Sequence, residues 1–297
     1  MTALRFGLVG TGHWARTVHA AALAASPDSE LIGVWGRDPA KAAVAATAAG
    51  AAVYDDLDAL IEAVDAMAFA VPPDVQVGLA ERAARSGRHL LLEKPIATEV
   101  GAADRLVEAV TTTGVASIVF FTTRFMPERR AWFDVVRSES WYGGWAVWLG
   151  TAFVPDGPFS ESPWRREKGG LWDVGPHVLA TVTATLGPVT RLTADAGARD
   201  VVHLVAHHES GATSTATVTL SAPLDAGGSS LTLWGDPGTS AMPAATSTAT
   251  EAYTIAVSEL VANVRAGRTD HPCDVRLGAH VVRLLADAQH RMDADRS

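Results

Sequence analysis

Two stretches of the sequence hold side chains able to move protons. Glu93-Lys94-Pro95 follows an apolar run at residues 89–92. Much later, Asp173 and His177 stand four apart, a spacing that puts them on one face of a helix. Pro176 does not forbid that helix if it starts near residue 172, because the first N–H groups of a helix have no intrahelical partner. A carboxylate beside a histidine fixes its tautomer and stabilises its cation. A lysine ammonium can hydrogen-bond a substrate oxygen, and desolvation lowers its pKa toward proton transfer. Hydride transfer between an alcohol carbon and nicotinamide needs a proton moved at the oxygen, which these three residues could supply. Each also has a plainer use: a surface lysine, an aspartate helix cap, a half-buried histidine.

Gly10-Thr11-Gly12-His13-Trp14-Ala15 reads G-x-G-x-x-A. It follows a short apolar run, 4–9, and opens an alanine-rich helical segment. Gly10 allows a tight turn, Gly12 lets backbone approach a pyrophosphate, and Ala15 lets helix and strand pack closely. The helix start offers N–H groups and a positive dipole end to phosphate. The second strand should end at the adenosine ribose, where a carboxylate marks NAD. Here the chain reads Trp35-Gly36-Arg37-Asp38. Gly36 leaves room for a 2′-phosphate, and the Arg37 guanidinium can grip it or stack on adenine. That favours NADP(H) over NAD(H), with Asp38 as a ribose acceptor the competing assignment.

These residues need a scaffold. Short apolar strands at 4–9, 30–35, 51–54, 66–71 and 89–92 alternate with helical segments at 40–49, 57–64 and 76–85. Strands apolar on both faces indicate a parallel sheet covered by helices. After about residue 120 the character changes. Longer strands rich in Val, Thr and Trp run through 145–152, 201–222 and 231–234, and helices are expected at 253–266 and 276–292. The fold expected is α/β: a doubly wound parallel sheet in a domain 1–120, then an α+β domain 121–297 on a mainly antiparallel open sheet. Residues 236–250 read as a mobile loop.

The order Gly10–Ala15, Glu93-Lys94-Pro95, Arg124-Phe125-Met126-Pro127, Trp164-Arg165, Gly169-Gly170 and Asp173…His177 resembles the Gfo/Idh/MocA oxidoreductase family, the glucose–fructose oxidoreductase and inositol dehydrogenase type. The resemblance runs over nearly the whole chain. It implies a dehydrogenase or reductase for a sugar, polyol or similar small compound. Lys94 and His177 would share the acid/base role, with Asp173 orienting His177. Cofactor contacts would come from Gly10, Thr11, Gly12, His13, Trp14, Ala15, Gly36, Arg37, Val71, Pro72, Glu93 and Lys94, and by analogy Trp164 and Arg165. The family often has His at Gln76, a third Gly before the Asp, and a smaller aliphatic residue at Trp172. A non-catalytic NAD(P)-binding regulator of the same fold is the rival reading.

Composition narrows the classes. Among 297 residues the net charge is −9, which argues against nucleic acid as a partner. Cys273 stands alone, which excludes a disulfide framework or a Cys-based zinc cluster. No apolar run nears the roughly 18 residues of a membrane span, and Leu4 enters a strand with no basic leader pattern, so a cytoplasmic protein is expected. His203, His207 and His208 lack a patterned acid, so no metal is expected. Tryptophans 141, 145, 148, 164 and 172 could stack on a sugar ring but read more readily as core or interface residues, and a tryptophan-bearing open sheet suggests a face for a homodimer or homotetramer.

Overall fold

In the computed structural model, residues 2–294 are described. The elements in chain order are β1 (Leu4–Val9), a π-helical stretch (Ala15–Ala20) continuing into α1 (Ala21–Ala25), β2 (Ser29–Trp35), α2 (Pro39–Ala49), β3 (Ala52–Tyr54), α3 (Leu57–Ala63), β4 (Ala66–Phe69), α4 (Pro73–Arg85), β5 (His89–Leu92), α5 (Val100–Thr113) and β6 (Ser117–Val119). There follow α6 (Pro127–Val136), β7 (Trp141–Leu149), α7 (Pro163–Asp173), α8 (Gly175–Leu186), β8 (Val189–Ala196), β9 (Val202–His208), β10 (Thr213–Thr219), β11 (Gly228–Gly235), β12 (Gly238–Ala241), α9 (Ala249–Arg265) and α10 (Val275–Ala294).

Two compact units result, 1–125 with 247–279, and 126–246 with 280–297. In the first, all strands are parallel in the order β3-β2-β1-β4-β5-β6. Phe6, Leu8 and Phe69 are fully buried, as strands covered on both faces must be. The chain reverses direction of travel across the sheet between β1 and β4, the place where ligands of such sheets bind.

The division expected at residue 120 needs correcting. Helix α9 belongs with the parallel-sheet unit, because its apolar stripe of Tyr253, Ala256, Val257 and Leu260 is buried there against the π stretch, α1 and β5. A capping box at Thr248 and Glu251 fixes where α9 begins.

The second unit holds a six-stranded sheet in the order β12-β11-β7-β10-β9-β8. It is mixed: β7 and β10 run parallel, and every other pair is antiparallel. One face is covered by α7 and α8 and buries Ala146, Trp148, Leu231 and Val218. The other presents Tyr142, Trp145, Val147 and Trp234 to the outside. Trp145 and Trp148 are three apart, so on a strand they point to opposite faces.

The stretch 236–250 is more ordered than its composition suggests. Residues 238–241 form β12, hairpinned on β11, Met242 is buried with its N–H donating to the Leu231 carbonyl at 2.8 Å, and Thr248 caps α9. The polar composition reflects an edge strand and a helix cap.

Candidate active-site residues

The glycine turn is built by close approach. Gly10 has φ +134°, and a Cβ on it would lie 2.5 Å from the Ala70 carbonyl oxygen. The turn after β1 is thus pressed against the Ala70-Val71-Pro72 turn after β4. A Cβ on Gly12 would have no neighbour within 4 Å, so its backbone faces open space. Ala15 is fully buried, as a small residue between helix and sheet should be. The second turn closes on the first: a Cβ at Gly36 would meet Thr11 Cγ2 at 2.5 Å, and a β-branched side chain yields poorly. Gly36 therefore has a packing reason beside any role toward phosphate. Asp38 is already engaged, accepting the N–H groups of Ala40 (3.0 Å) and Lys41 (3.2 Å) as the cap of α2. Arg37 is exposed.

The Lys94 loop is held by a residue that the sequence marked only as a departure. Gln76, fully buried on α4, accepts the Glu93 N–H (2.8 Å) and donates to the carbonyls of Glu93 (2.8 Å) and Pro95 (3.3 Å). Its amide suits this use because it carries donor and acceptor together. Lys94 is half-buried at the C-terminal end of β5.

Glu93 and Trp14, both expected at the cofactor, face each other. Glu93 Oε1 accepts the Trp14 indole N–H at 2.7 Å and lies 2.9 Å from His19 Nε2. His19, not foreseen as a site residue, is fully buried. In an α-helix residues five apart point about 140° away from each other. The π stretch, with its wider turn, brings Trp14 and His19 to one side. Against His19 lies the Tyr253 ring, 4.1 Å between centroids. Burial, and then the Glu93 charge, hold the Tyr253 phenol well above its ordinary range.

The second unit groups a different set. Gly169, at φ +65°, breaks the helical run, and Gly170–Asp173 form a fresh turn. Gly170 must be small, since a Cβ there would lie 2.9 Å from Thr219 Cα of β10. Asp173 ends α7, and α8 begins at Gly175 with Pro176 in its first turn, so the expected single helix from residue 172 is instead two helices meeting at Val174. The buried Asp173 carboxylate accepts Arg165 Nε at 2.8 Å. The Arg165 guanidinium is stacked between Phe159 (4.5 Å) and Trp164 (4.7 Å). Trp164, Arg165 and Asp173 therefore form one cluster. His177 lies in the first turn of α8, half-buried. Trp172 is buried.

The three histidines of β9 have structural partners: Thr217 Oγ1 for His203, Arg191 for His207, and the Gly187 carbonyl with Ser214 Oγ for His208. Among the described residues no group of three or more His, Cys, Asp or Glu is placed to hold a metal, and no helix is long and apolar enough to cross a membrane.

A parallel sheet in this strand order, with a glycine turn at its switch point, defines a dinucleotide-binding Rossmann protein. Residues 4–121 match the Gfo/Idh/MocA family model, described as oxidoreductase family, NAD-binding Rossmann fold. The chain is 30% identical over 190 residues to a dTDP-3,4-didehydro-2,6-dideoxy-alpha-D-glucose 3-reductase of Streptomyces antibioticus, over 62% of this chain and 57% of that one. It is 34% identical over 126 residues to inositol 2-dehydrogenase of Rhizobium meliloti, over 42% of this chain and 38% of that one. The matched segments thus span about half, or less, of these relatives. An oxidoreductase domain protein from Kribbella flavida has the same fold, with TM-score 0.87 at 20% identity, over 99% of this chain and 98% of that one.

Proposed function

We propose that the chain is an NAD(P)-dependent dehydrogenase or reductase acting on a CH–OH group of a sugar, polyol or nucleotide-linked sugar. The observation that carries this is Lys94: an amine held half-buried beyond a strand end, in a loop clamped by Gln76, on a sheet whose switch point bears the glycine turn. The names of the relatives point to the substrate class. A cytoplasmic location accords with the use of a diffusible nicotinamide cofactor.

The open backbone at Gly12 and the helix start behind it fit a pyrophosphate. Bound nicotinamide supplies hydride transfer. Gly10, Thr11, Gly12 and His13 would hold the phosphates, Gly36 and Arg37 the adenosine end, and Val71 and Pro72 the adjoining edge. Lys94 would hydrogen-bond the substrate oxygen and hold or return its proton, with His177 sharing that role. Asp173, paired with Arg165, would fix the turn that leads into His177, and Trp164 would order Arg165. The test is a panel of sugars, inositols and nucleotide sugars with each cofactor, read by absorbance of reduced nicotinamide. Cofactor binding with no turnover on the whole panel would favour a regulator.

NADP(H) is the cofactor proposed, because Asp38 is engaged as a cap while Arg37 is exposed beside Gly36. Affinity for NADP(H) should exceed that for NAD(H) by about tenfold, about 1.4 kcal/mol, and Arg37→Ala should remove most of the difference. Fluorescence titration of both reduced cofactors decides it; equal affinities in the unmodified protein refute the preference.

The apolar outer face of the second sheet is proposed to join two copies into a dimer or a pair of dimers. Tyr142, Trp145 and Trp234 are about half exposed there, which a monomer rarely tolerates in one patch. Trp145→Asp should yield monomers by light scattering at micromolar concentration. An unmodified protein of monomeric mass would end this proposal.

A further inference from the structure

Glu93 sits between two parts of the dinucleotide unit with different tasks. Its backbone begins the Lys94 loop. Its carboxylate reaches back to the helix that follows the glycine turn, where Trp14 and His19 converge on a single oxygen, Oε1. The other oxygen accepts the Lys94 N–H at 3.3 Å. A carboxylate oxygen only accepts, so His19 Nε2 carries the proton of that bond. His19 has no exposed surface, and its ring is boxed by Tyr253 (4.1 Å) and, edge-on, by Phe120 (6.5 Å). Its rotamer is therefore set by packing and its donor is aimed at Glu93. Burying a histidine against a carboxylate is costly for a site that needs only hydrophobic filling, where Leu would serve. The π stretch that makes the arrangement possible is also a rare element, seen mostly where a side chain must be placed.

We propose that His19 is a positioning residue for Lys94, acting through the Glu93 carboxylate. The Lys94 loop is fixed from two sides: Gln76 clamps the main chain of residue 93 from α4, and His19 with Trp14 pins the side chain of residue 93 from the π-helical segment. Gln76 holds where the loop leaves β5. The Glu93 carboxylate, bonded to the Lys94 N–H, sets how the loop turns and so where the amine is aimed. Because Trp14 lies two residues past Gly12, the same carboxylate ties the Lys94 loop to the turn proposed to carry the phosphates. This function for His19 rests on the reading of Lys94 as the acid/base group, while the placement of Lys94 by His19 stands on its own.

The chain has three lysines, Lys41, Lys94 and Lys168, so a lysine reagent reports on Lys94 with two internal references. The experiment is pulsed acetylation of the full chain with acetic anhydride at fixed pH, read residue by residue by mass spectrometry. In His19→Leu, which keeps the volume and removes the donor, Lys94 acetylation should rise at least about threefold relative to Lys41 and Lys168, as the loop opens locally. His19→Gln, which restores an amide donor at similar reach, should return Lys94 to within about twofold of the unmodified rate. A filler role would not distinguish these two variants in this way. Trp14→Phe removes the second donor to the same oxygen from a half-buried position, and should move Lys94 in the same direction even if His19→Leu fails to fold. An unchanged Lys94 rate in folded His19→Leu or in Trp14→Phe, or a glutamine variant no better than leucine, overturns the proposal. The labelling uses neither cofactor nor substrate. Should Lys94→Ala retain turnover, the acid/base reading falls while a selective Lys94 response still upholds the positioning; an unresponsive Lys94 ends the positioning whatever the kinetics show.

Discussion

Lys94→Ala should lower turnover by at least about 100-fold, the usual contribution of a positioned acid/base group. The fold should survive the change. The loop is held by the bonds of Gln76 to the main chain of residues 93 and 95 and by the Glu93 carboxylate on the Lys94 N–H. His177→Ala should cost a similar factor and keep its backbone in place, because His177 lies in the first turn of α8 with its N–H donating to the Val174 carbonyl at 3.1 Å. Affinity for the reduced cofactor should change far less for His177→Ala, since phosphate and adenosine are proposed to lie on residues 10–15 and 36–37. Asp173→Asn has a different signature. It keeps an oxygen for Arg165 Nε but removes the buried charge that the half-buried guanidinium faces, so it should lose stability as well as rate. Steady-state kinetics on the substrate found by the panel, with thermal unfolding alongside, separates these cases. Near-normal turnover in either single variant withdraws that residue from the chemistry.

What the sequence disclosed and what it hid divide along a physical line. The glycine turn was legible because its parts are consecutive and each demands a residue type: Gly10 for its positive φ and its approach to Ala70, Ala15 for its buried contact. The parallel sheet was legible because its short strands are mostly apolar on both faces and alternate with helical segments. The Glu93 cluster was not, since Trp14 and His19 lie 79 and 74 residues from their partner and no periodicity links them. A signal existed: a histidine among the Val and Ala residues of 18–25, five residues after a tryptophan, off the α-helical spacing. Helix α9 was assigned to the wrong unit because its apolar stripe shows that it packs, but not on what. Gln76 looked like a departure from a pattern; its buried amide shows why a residue with both donor and acceptor stands there. The kink at Gly169 was hidden because two adjacent glycines do not say which carries the positive φ.

The two glycines of the turn should fail in opposite ways, and that contrast tests the cofactor site without a substrate. Gly10→Ala places a methyl 2.5 Å from a backbone oxygen at φ +134°, where neither the rotamer nor the neighbour can yield. Backbone strain in such a region costs about 1–3 kcal/mol, and the forced movement of the Ala70 turn adds to it. Gly10→Ala should therefore lose about 3 kcal/mol or more of stability, or fail to accumulate as folded protein. Gly12→Ala meets nothing within 4 Å and has no positive φ, so its stability should stay within about 1 kcal/mol of the unmodified protein. Its methyl would nonetheless stand on the backbone that a pyrophosphate must approach. Affinity for reduced NADP should drop at least tenfold, about 1.4 kcal/mol, with the fold intact. Thermal unfolding and fluorescence titration give both quantities on the same samples. A Gly12→Ala protein that binds the reduced cofactor as tightly as the unmodified chain would show that phosphate does not pass over Gly12. The open space at that turn would then need another occupant.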